Sequence, residues 1–346
     1  MTLQLKAHAL SHGVDLIGTT SAKPFTKRDR TGTAIDPKEL LDDARSIVVA
    51  AFYSHDPAEE PRADRDNPRS RFPHAESLRA FTPMADHYVG VIRGFLKGQG
   101  YEALSNTDNR IPEKMAAARA GLGKYGKNAV ILTTEYGAYV RLVTLVTNAP
   151  LACDEHELYA SDCGECDICL RACPTGAIYE PYKIHRDLCI CDWLWGTFVP
   201  IHLREKQEDR IFGCGACLDA CPRNGALTPR PEYPVRPEDV DRAPALIPLV
   251  TEGERYYRRT LPTFPMQAGI DAIRGNAIIA LGNLRTARAI DPLCMTLTHP
   301  TPQIRAYSAW ALGKIGGAQA EKALETALKG EENCEVRKEV QQALDG

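Results

Sequence analysis

Four cysteines and a proline within twelve residues, Cys163-x2-Cys166-x2-Cys169-x3-Cys173-Pro174, restrict this chain more than any other stretch. This is the bacterial ferredoxin spacing, in which three thiolates grip one iron–sulfur cube and the fourth crosses to a second cube. A tetrahedral zinc site takes two close pairs and would leave that spacing unexplained. A second, shorter version, Cys214-x2-Cys217-x3-Cys221-Pro222, has Ile211 where its first cysteine belongs. One ligand must therefore come from elsewhere, and the nearby spares are Cys189 and Cys191 in "RDLCICDW". Crossing the motifs gives Cys163, Cys166, Cys169 and Cys221 for one [4Fe-4S] cluster. The other takes Cys173, Cys214, Cys217 and either Cys189 or Cys191. Two cubes held this way lie close enough to pass electrons.

Ten of the chain's twelve cysteines fall between residues 151 and 230. The N-terminal "MTLQLKAHALSHGVDLIG" lacks the basic segment and unbroken apolar run of a secretory signal. No stretch approaches the roughly 18 apolar residues a membrane helix needs. We expect a cytoplasmic protein with no membrane partner, and in that reducing setting clustered cysteines bind metal more often than they form disulfides. A net charge of −3 over 346 residues predicts no general attraction to nucleic acid, although a local basic face fits within it.

The chain divides into three regions and a connector, and its fold class is expected to be α+β. Residues 1–150 mix helical and strand signals. Leu3, Ala7, Leu10 and Val14 recur at helical spacing, and Ile47–Ala51 is a short apolar, partly β-branched run that reads as a strand. The proline- and charge-rich "SHDPAEEPRADRDNPRSRFPH" reads as exposed loop, and "KMAAARAGLG" as a helix stopping at its glycines. "NAVILTTEYGAYVRLVTLVTNAPL" looks like two strands joined around Glu135–Gly137. Residues 151–230 form the cluster domain and 231–264 a connecting segment. Residues 265–346 repeat: "IRGNAIIALGN", "IRAYSAWALGK" and "VRKEVQQAL" begin at Ile273, Ile304 and Val336. Helix pairs at this period are HEAT-like units, too few here to stand alone, so they are expected to pack on the preceding domains.

The order of segments resembles the epoxyqueuosine reductase family. The resemblance rests on "ARSIVVAAFY", "AGLGKYGKN", "TTEYGAYVRLVTLVTNAPL", "CGECDICLRACPTGAI", "RIFGCGACLDACPRN" and the paired "ALGN" and "WALG" of the tail. It implies an N-terminal domain that helps bind base-off cobalamin against a ferredoxin-like domain with two [4Fe-4S] clusters, and a HEAT-like tail. It implies conversion of epoxyqueuosine to queuosine in tRNA, with the tail helping to hold the anticodon stem-loop. Electrons would come from a low-potential donor such as ferredoxin or flavodoxin, and the chain would act as a monomer. By position, Cys189 is then the isolated cluster ligand, and Ile131, Leu142, Cys191, Gly215 and Ala216 fall where the family contacts the corrinoid. Asp108, ahead of "AGLG", takes the place of the catalytic proton donor. Gly215 stands where the family often has an aspartate.

Two other readings stay open. One is a related corrinoid-dependent reductase of a small molecule. The other is an iron–sulfur electron-transfer or activator protein that serves a separate corrinoid protein. The remaining residues have plainer readings. Lys127 in the glycine-rich segment could face an anion, or simply follow a helix cap. Arg255, Arg258, Arg259, Arg274 and Arg305 could line a phosphate-contacting strip or a solvated solenoid face. Cys294 and Cys334 are expected in helix cores.

Overall fold

The computed structural model describes residues 1–28, 34–53, 66–71, 75–106, 110–154, 163–193, 198–224, 243–260 and 269–346. The N-terminal region runs α1 (Thr2–Ser11), β1 (Leu16–Ser21), β2 (Phe25–Arg28), β3 (Ala34–Ile35), β4 (Ser46–Tyr53), α2 (Ala75–Gly98), β5 (Ala103–Ser105), α3 (Glu113–Arg119), β6 (Lys124–Tyr125), β7 (Ile131–Leu132) and β8 (Val140–Thr147). Its main sheet has the order β1-β4-β8-β5, with every pair antiparallel. The strand expected at 47–51 is the longer β4, buried along its whole length. Alternation explains how one strand serves two cores. Ile47, Val49 and Ala51 face α3, while Val48, Ala50 and Phe52 face α1 and α2.

The two strands expected in 128–151 part company. Thr133 and Gly137 bridge across the turn as anticipated, yet β7 pairs with β6 and β8 lies in the main sheet between β4 and β5. The reason is packing: Val143, Leu145 and Val146 are strongly apolar and gain more inside the sheet than on a two-stranded ribbon. The "AGLG" segment ends α3 against β1. A Cβ on Gly18 would sit 2.2 Å from the Ala120 carbonyl oxygen, and Gly121, with φ 72°, makes the left-handed stop.

Most of the proline-rich stretch lies outside the described residues, but 68–71 depart from the exposed loop expected there. Ser70 donates through its amide and its hydroxyl to the Pro244 carbonyl at 2.9 Å, and Arg71 N donates to Asp209 O at 2.8 Å. The N-terminal region thus reaches the chain at Asp209 and at Pro244.

Between these lie α4 (Ile168–Arg171), β9 (Ile178–Glu180), β10 (Lys183–Ile184), α5 (Ile190–Trp193), α6 (Ile201–Gln207) and α7 (Ala216–Asp219). The tail runs α8 (Leu246–Thr251), α9 (Glu254–Thr260), α10 (Ile270–Leu284), α11 (Ile290–Thr296), α12 (Pro302–Ile315), α13 (Ala318–Gly330) and α14 (Cys334–Asp345). As expected, the repeats pack backwards: Val199, Leu203, Ile211 and Phe212 share one core with α8 to α14. Polar bonds fix the same seam, with Asn276 Nδ2 donating to Ile211 O at 3.0 Å and Val199 N to the Tyr307 hydroxyl at 2.7 Å.

The repeated Ala-Leu-Gly has a direct cause. A Cβ on Gly282 would lie 2.7 Å from the Trp310 ring and 2.9 Å from Ala311, and one on Gly313 would lie 2.9 Å from Ala343. The glycines let α10, α12 and α14 approach closely. We expect Gly282→Val to cost about 1–3 kcal/mol by overpacking, read as a lower urea midpoint. An unchanged midpoint would show that this crossing has slack. Among the described residues no helix is long and apolar enough to cross a membrane.

Candidate iron–sulfur and cofactor site

Each cysteine motif folds as a tight loop leading into one turn of helix. In the first, Cys166 N donates to Cys163 O at 2.9 Å, and α4 carries Cys169. In the second, Gly213 and Gly215 adopt φ values of 69° and 72°, and α7 carries Cys217. Positive φ at both positions turns the chain sharply enough for Cys214 and Cys217 to point the same way. The short helices α4 and α7 pack on each other, which interleaves the two motifs. Ile211, standing in the place of a cysteine, is fully buried in the tail core. Its position serves the domain junction, so a ligand from elsewhere is a structural necessity for a four-cysteine site.

None of the twelve cysteines is in a disulfide. The thiols gather in two neighbourhoods. Cys169 is raised by burial and then by the proximity of Cys163, Cys221 and Cys166. Cys217 is pushed up to about 12 by burial first, then by Cys214, Cys189, Cys169 and Cys173. Cys214, also raised chiefly by burial, feels Cys189 and Cys173. Such crowding opposes deprotonation of the bare thiols, and a bound cation of high charge reverses that balance. The donor set is therefore right for two cubes. Cys189 and Cys191 form a hydrogen-bonded pair. The bond from Cys191 lowers Cys189 to about 6, and Cys191, raised well above its ordinary range, keeps the proton. Although Cys191 is exposed as a residue, its sulfur is crowded by Cys189, Cys214 and Cys217.

The segment "AGLGKYGKN" and the turn after it hold the N-terminal region against both motifs. Lys127 Nζ donates to Gly164 O at 2.6 Å, and Tyr182 N to Lys127 O at 2.9 Å. Lys127 thus grips the first cluster loop rather than facing an anion. Asn128 Nδ2 donates to Cys217 O at 3.2 Å, Ala138 N to Asn224 Oδ1 at 2.9 Å, and the Tyr139 hydroxyl to Asp219 Oδ1 at 3.1 Å. These bonds draw β7, β8 and α7 together; of the five residues expected at the corrinoid, Ile131, Leu142, Gly215 and Ala216 lie on or next to these elements, and Cys191 is on α5. Ile131 is 3% exposed and packs in the α3 core, so its side chain is covered by protein. Leu142 and Ala216 are half-buried, and Gly215 is buried. Small and apolar groups of this kind suit a broad macrocycle. Asp108 lies outside the described residues.

Sequence reasoning passed over several residues here. Asn128 and Tyr139 stood in quoted motifs, but their roles depend on partners some eighty residues away. Glu113 is pushed up to about 7 by burial, against the lowering effects of a hydrogen bond with Asn106 and the charge of Arg141. Nothing in its local sequence signals that. Of the arginine strip, Arg274 donates to Asp271 at 2.6 Å, and Arg305 holds Glu331 through two bonds of 2.7 and 2.8 Å. Both are half-buried, the first a tie within α10 and the second a tie from α12 to the end of α13. Arg258 and Arg259 are exposed and pair with Glu254 and Glu252. Cys294 packs partly into the tail core as expected, whereas Cys334 is exposed at the start of α14, and Cys153 is exposed.

Two interleaved cysteine motifs between an α/β sheet domain and a helical-repeat tail define an iron–sulfur oxidoreductase. Residues 162–224 match the 4Fe-4S double cluster binding domain, and residues 268–345 match the HEAT repeats model. The chain is 31% identical to the epoxyqueuosine reductase of Bacillus subtilis, over 99% of this chain and 95% of that one. It is 30% identical to that of Bacillus anthracis, over 98% and 95%. An epoxyqueuosine reductase crystallised with an epoxyqueuosine-modified tRNA-Tyr stem-loop superposes with a TM-score of 0.87 at 31% identity, covering 99% of this chain and 97% of that one. A structure of the Bacillus subtilis enzyme with its catalytic aspartate loop swung out of the active site gives 0.86 at 30%, covering 99% and 98%. The chain belongs to the epoxyqueuosine reductase family.

Proposed function

We propose that this chain reduces epoxyqueuosine to queuosine in the anticodon stem-loop of tRNA, with two [4Fe-4S] clusters and one base-off cobalamin. The observation that carries the reading is full-length correspondence, tail included, with an enzyme crystallised on its modified stem-loop. The working division is 1–150, 151–230, 231–264 and 265–346. One cluster takes Cys163, Cys166, Cys169 and Cys221, and the other takes Cys173, Cys189, Cys214 and Cys217. The structure's contribution is that Cys173, Cys214 and Cys217 share a neighbourhood with Cys189, whose thiol is bonded by Cys191. Cobalamin lies at the seam of Leu142, Cys191, Gly215 and Ala216, with Ile131 beside it through its backbone.

When bound, the clusters and the corrinoid supply low-potential electrons for breaking the carbon–oxygen bonds. The chain's own residues do the rest. Lys127, Asn128 and Tyr139 fix the distance between the cluster domain and the sheet. Asp108 gives a proton to the departing oxygen. Arg255, Arg258 and Arg259 offer contacts to RNA phosphate. Single electrons come from a ferredoxin or flavodoxin.

The test is anaerobic. After cluster reconstitution, addition of cobalamin and desalting, a retained base-off cobalt signal beside two [4Fe-4S] clusters is expected, followed by loss of the epoxide in a modified stem-loop. Clusters without retained cobalamin would favour the activator protein. Cobalamin with no action on RNA would favour a small-molecule reductase.

A further inference from the structure

The open edge of the main sheet holds a carboxyl group that the reading above does not use. β5 pairs with Leu145–Thr147 of β8, and the next residue, Asn106, continues that pairing by one bond. There Asn106 N donates to Thr144 O at 2.9 Å. The Asn106 side chain then clasps Ile111 from both sides, its Nδ2 donating to the carbonyl at 2.9 Å and its Oδ1 accepting from the amide at 2.8 Å. This buried amide also hydrogen-bonds the Glu113 carboxyl, and Arg141, next to Leu142 on β8, is the charge that acts on it. Met115, Ala116, Ala117 and Ala118 commit α3 to the core, and α3 packs on β7, which carries Ile131. Glu113 is therefore a fixed acid beside the strands assigned to the corrinoid.

Proton balance gives it work. Turning an epoxide into an alkene breaks two carbon–oxygen bonds and forms one carbon–carbon π bond. Two electrons enter, from a low-potential one-electron carrier, and the oxygen takes two protons and leaves as water. A single acid supplies one proton per turnover unless it is recharged. Resting on the function proposed above, we propose that Glu113 is the source of the second proton, delivered to the departing oxygen and regained from solvent. Its burial keeps it partly protonated near neutral pH, the range in which an acid can both hold and release a proton.

The experiment compares Glu113→Gln and Glu113→Asp with the wild type, all loaded with clusters and cobalamin, on an epoxyqueuosine stem-loop RNA. The glutamine variant is expected to keep wild-type iron content, cobalamin retention and RNA affinity. Its turnover should fall by about tenfold or more, and the decline in rate above about pH 7 should disappear. The aspartate variant, still an acid, should recover part of the rate and a declining limb. A second readout needs no turnover. A carboxyl at about 7 in the fold and near 4.5 when unfolded contributes stability below 4.5 that is lost as pH rises to 7. The glutamine variant should therefore gain stability relative to wild type across that window. Wild-type kcat with an unchanged pH profile in Glu113→Gln overturns the proposal, as does loss of iron or cobalamin from both variants. A wild-type protein that holds both cofactors yet leaves the RNA unchanged overturns the substrate reading, and the Glu113 proposal with it.

Discussion

Cys173→Ser is expected to halve the iron content, from about eight to about four atoms per chain, and to abolish turnover. The cluster lost should be the one built on Cys214 and Cys217, although Cys173 sits in the other motif. Crossing of the last ligand is the arrangement proposed above, and the packing of α4 on α7 and the neighbourhoods of the thiols support it. Cys173 acts on Cys214 and Cys217, whereas Cys221 acts on Cys169. The control is Cys221→Ser, which should remove the cluster of the first motif. Iron and sulfide analysis of the two variants, with the EPR signal of the surviving cluster compared between them, decides the matter. If Cys173→Ser and Cys163→Ser leave the same surviving cluster, the ligands do not cross. The activity should vanish in either case, because one cluster breaks the path from an external donor to the seam between the domains.

Much of this site was legible in the sequence because covalent chemistry dictates it. Four sulfurs on one cube leave little choice of spacing, so the two motifs announce themselves, and Ile211 announces the missing ligand. The tail was legible for a related reason: each repeat must offer the next the same helix face, and glycine must return wherever helices cross closely, as at Gly282 and Gly313. What stayed hidden was set by partners distant in sequence. β7 reads as half of a hairpin until β6 claims it and the main sheet claims β8. Residues 68–71 read as loop because their composition is polar, yet Ser70 is fully buried against Pro244. Arg305 reads as part of a charged strip because its acid, Glu331, lies 26 residues away and meets it only once α12 and α13 pack, whereas Arg274 pairs with Asp271 one turn back on its own helix. Glu113 looks like any acidic residue in a first helical turn, where a carboxylate is ordinarily favoured. Burial outweighs that preference here, and burial is a property of the fold.

The largest effect on stability is expected from Glu339→Ala. Arg204 is completely buried, and its guanidinium is held by both oxygens of the Glu339 carboxylate at 2.6 and 2.8 Å. It also donates to Val199 O at 3.0 Å and lies 4.6 Å from the Tyr307 ring centre, with the Trp310 ring at 5.6 Å. The pair joins α6, which leads toward Cys214, to α14 at the other end of the tail. Removing the carboxylate strands a buried cation, at a cost of about 3–5 kcal/mol. Trp310 reports it directly, since urea unfolding followed by its fluorescence should show a much lower midpoint. The double variant Arg204→Met with Glu339→Leu separates two explanations. It removes both charges and keeps the volume, so it should regain most of the lost stability. A Glu339→Ala protein as stable as wild type would mean that water reaches Arg204. If instead the double variant is as weak as the single one, the fork geometry itself stabilises the junction. In that event the tail and the second cysteine motif are coupled through directional bonds, and iron retention should fall together with the urea midpoint.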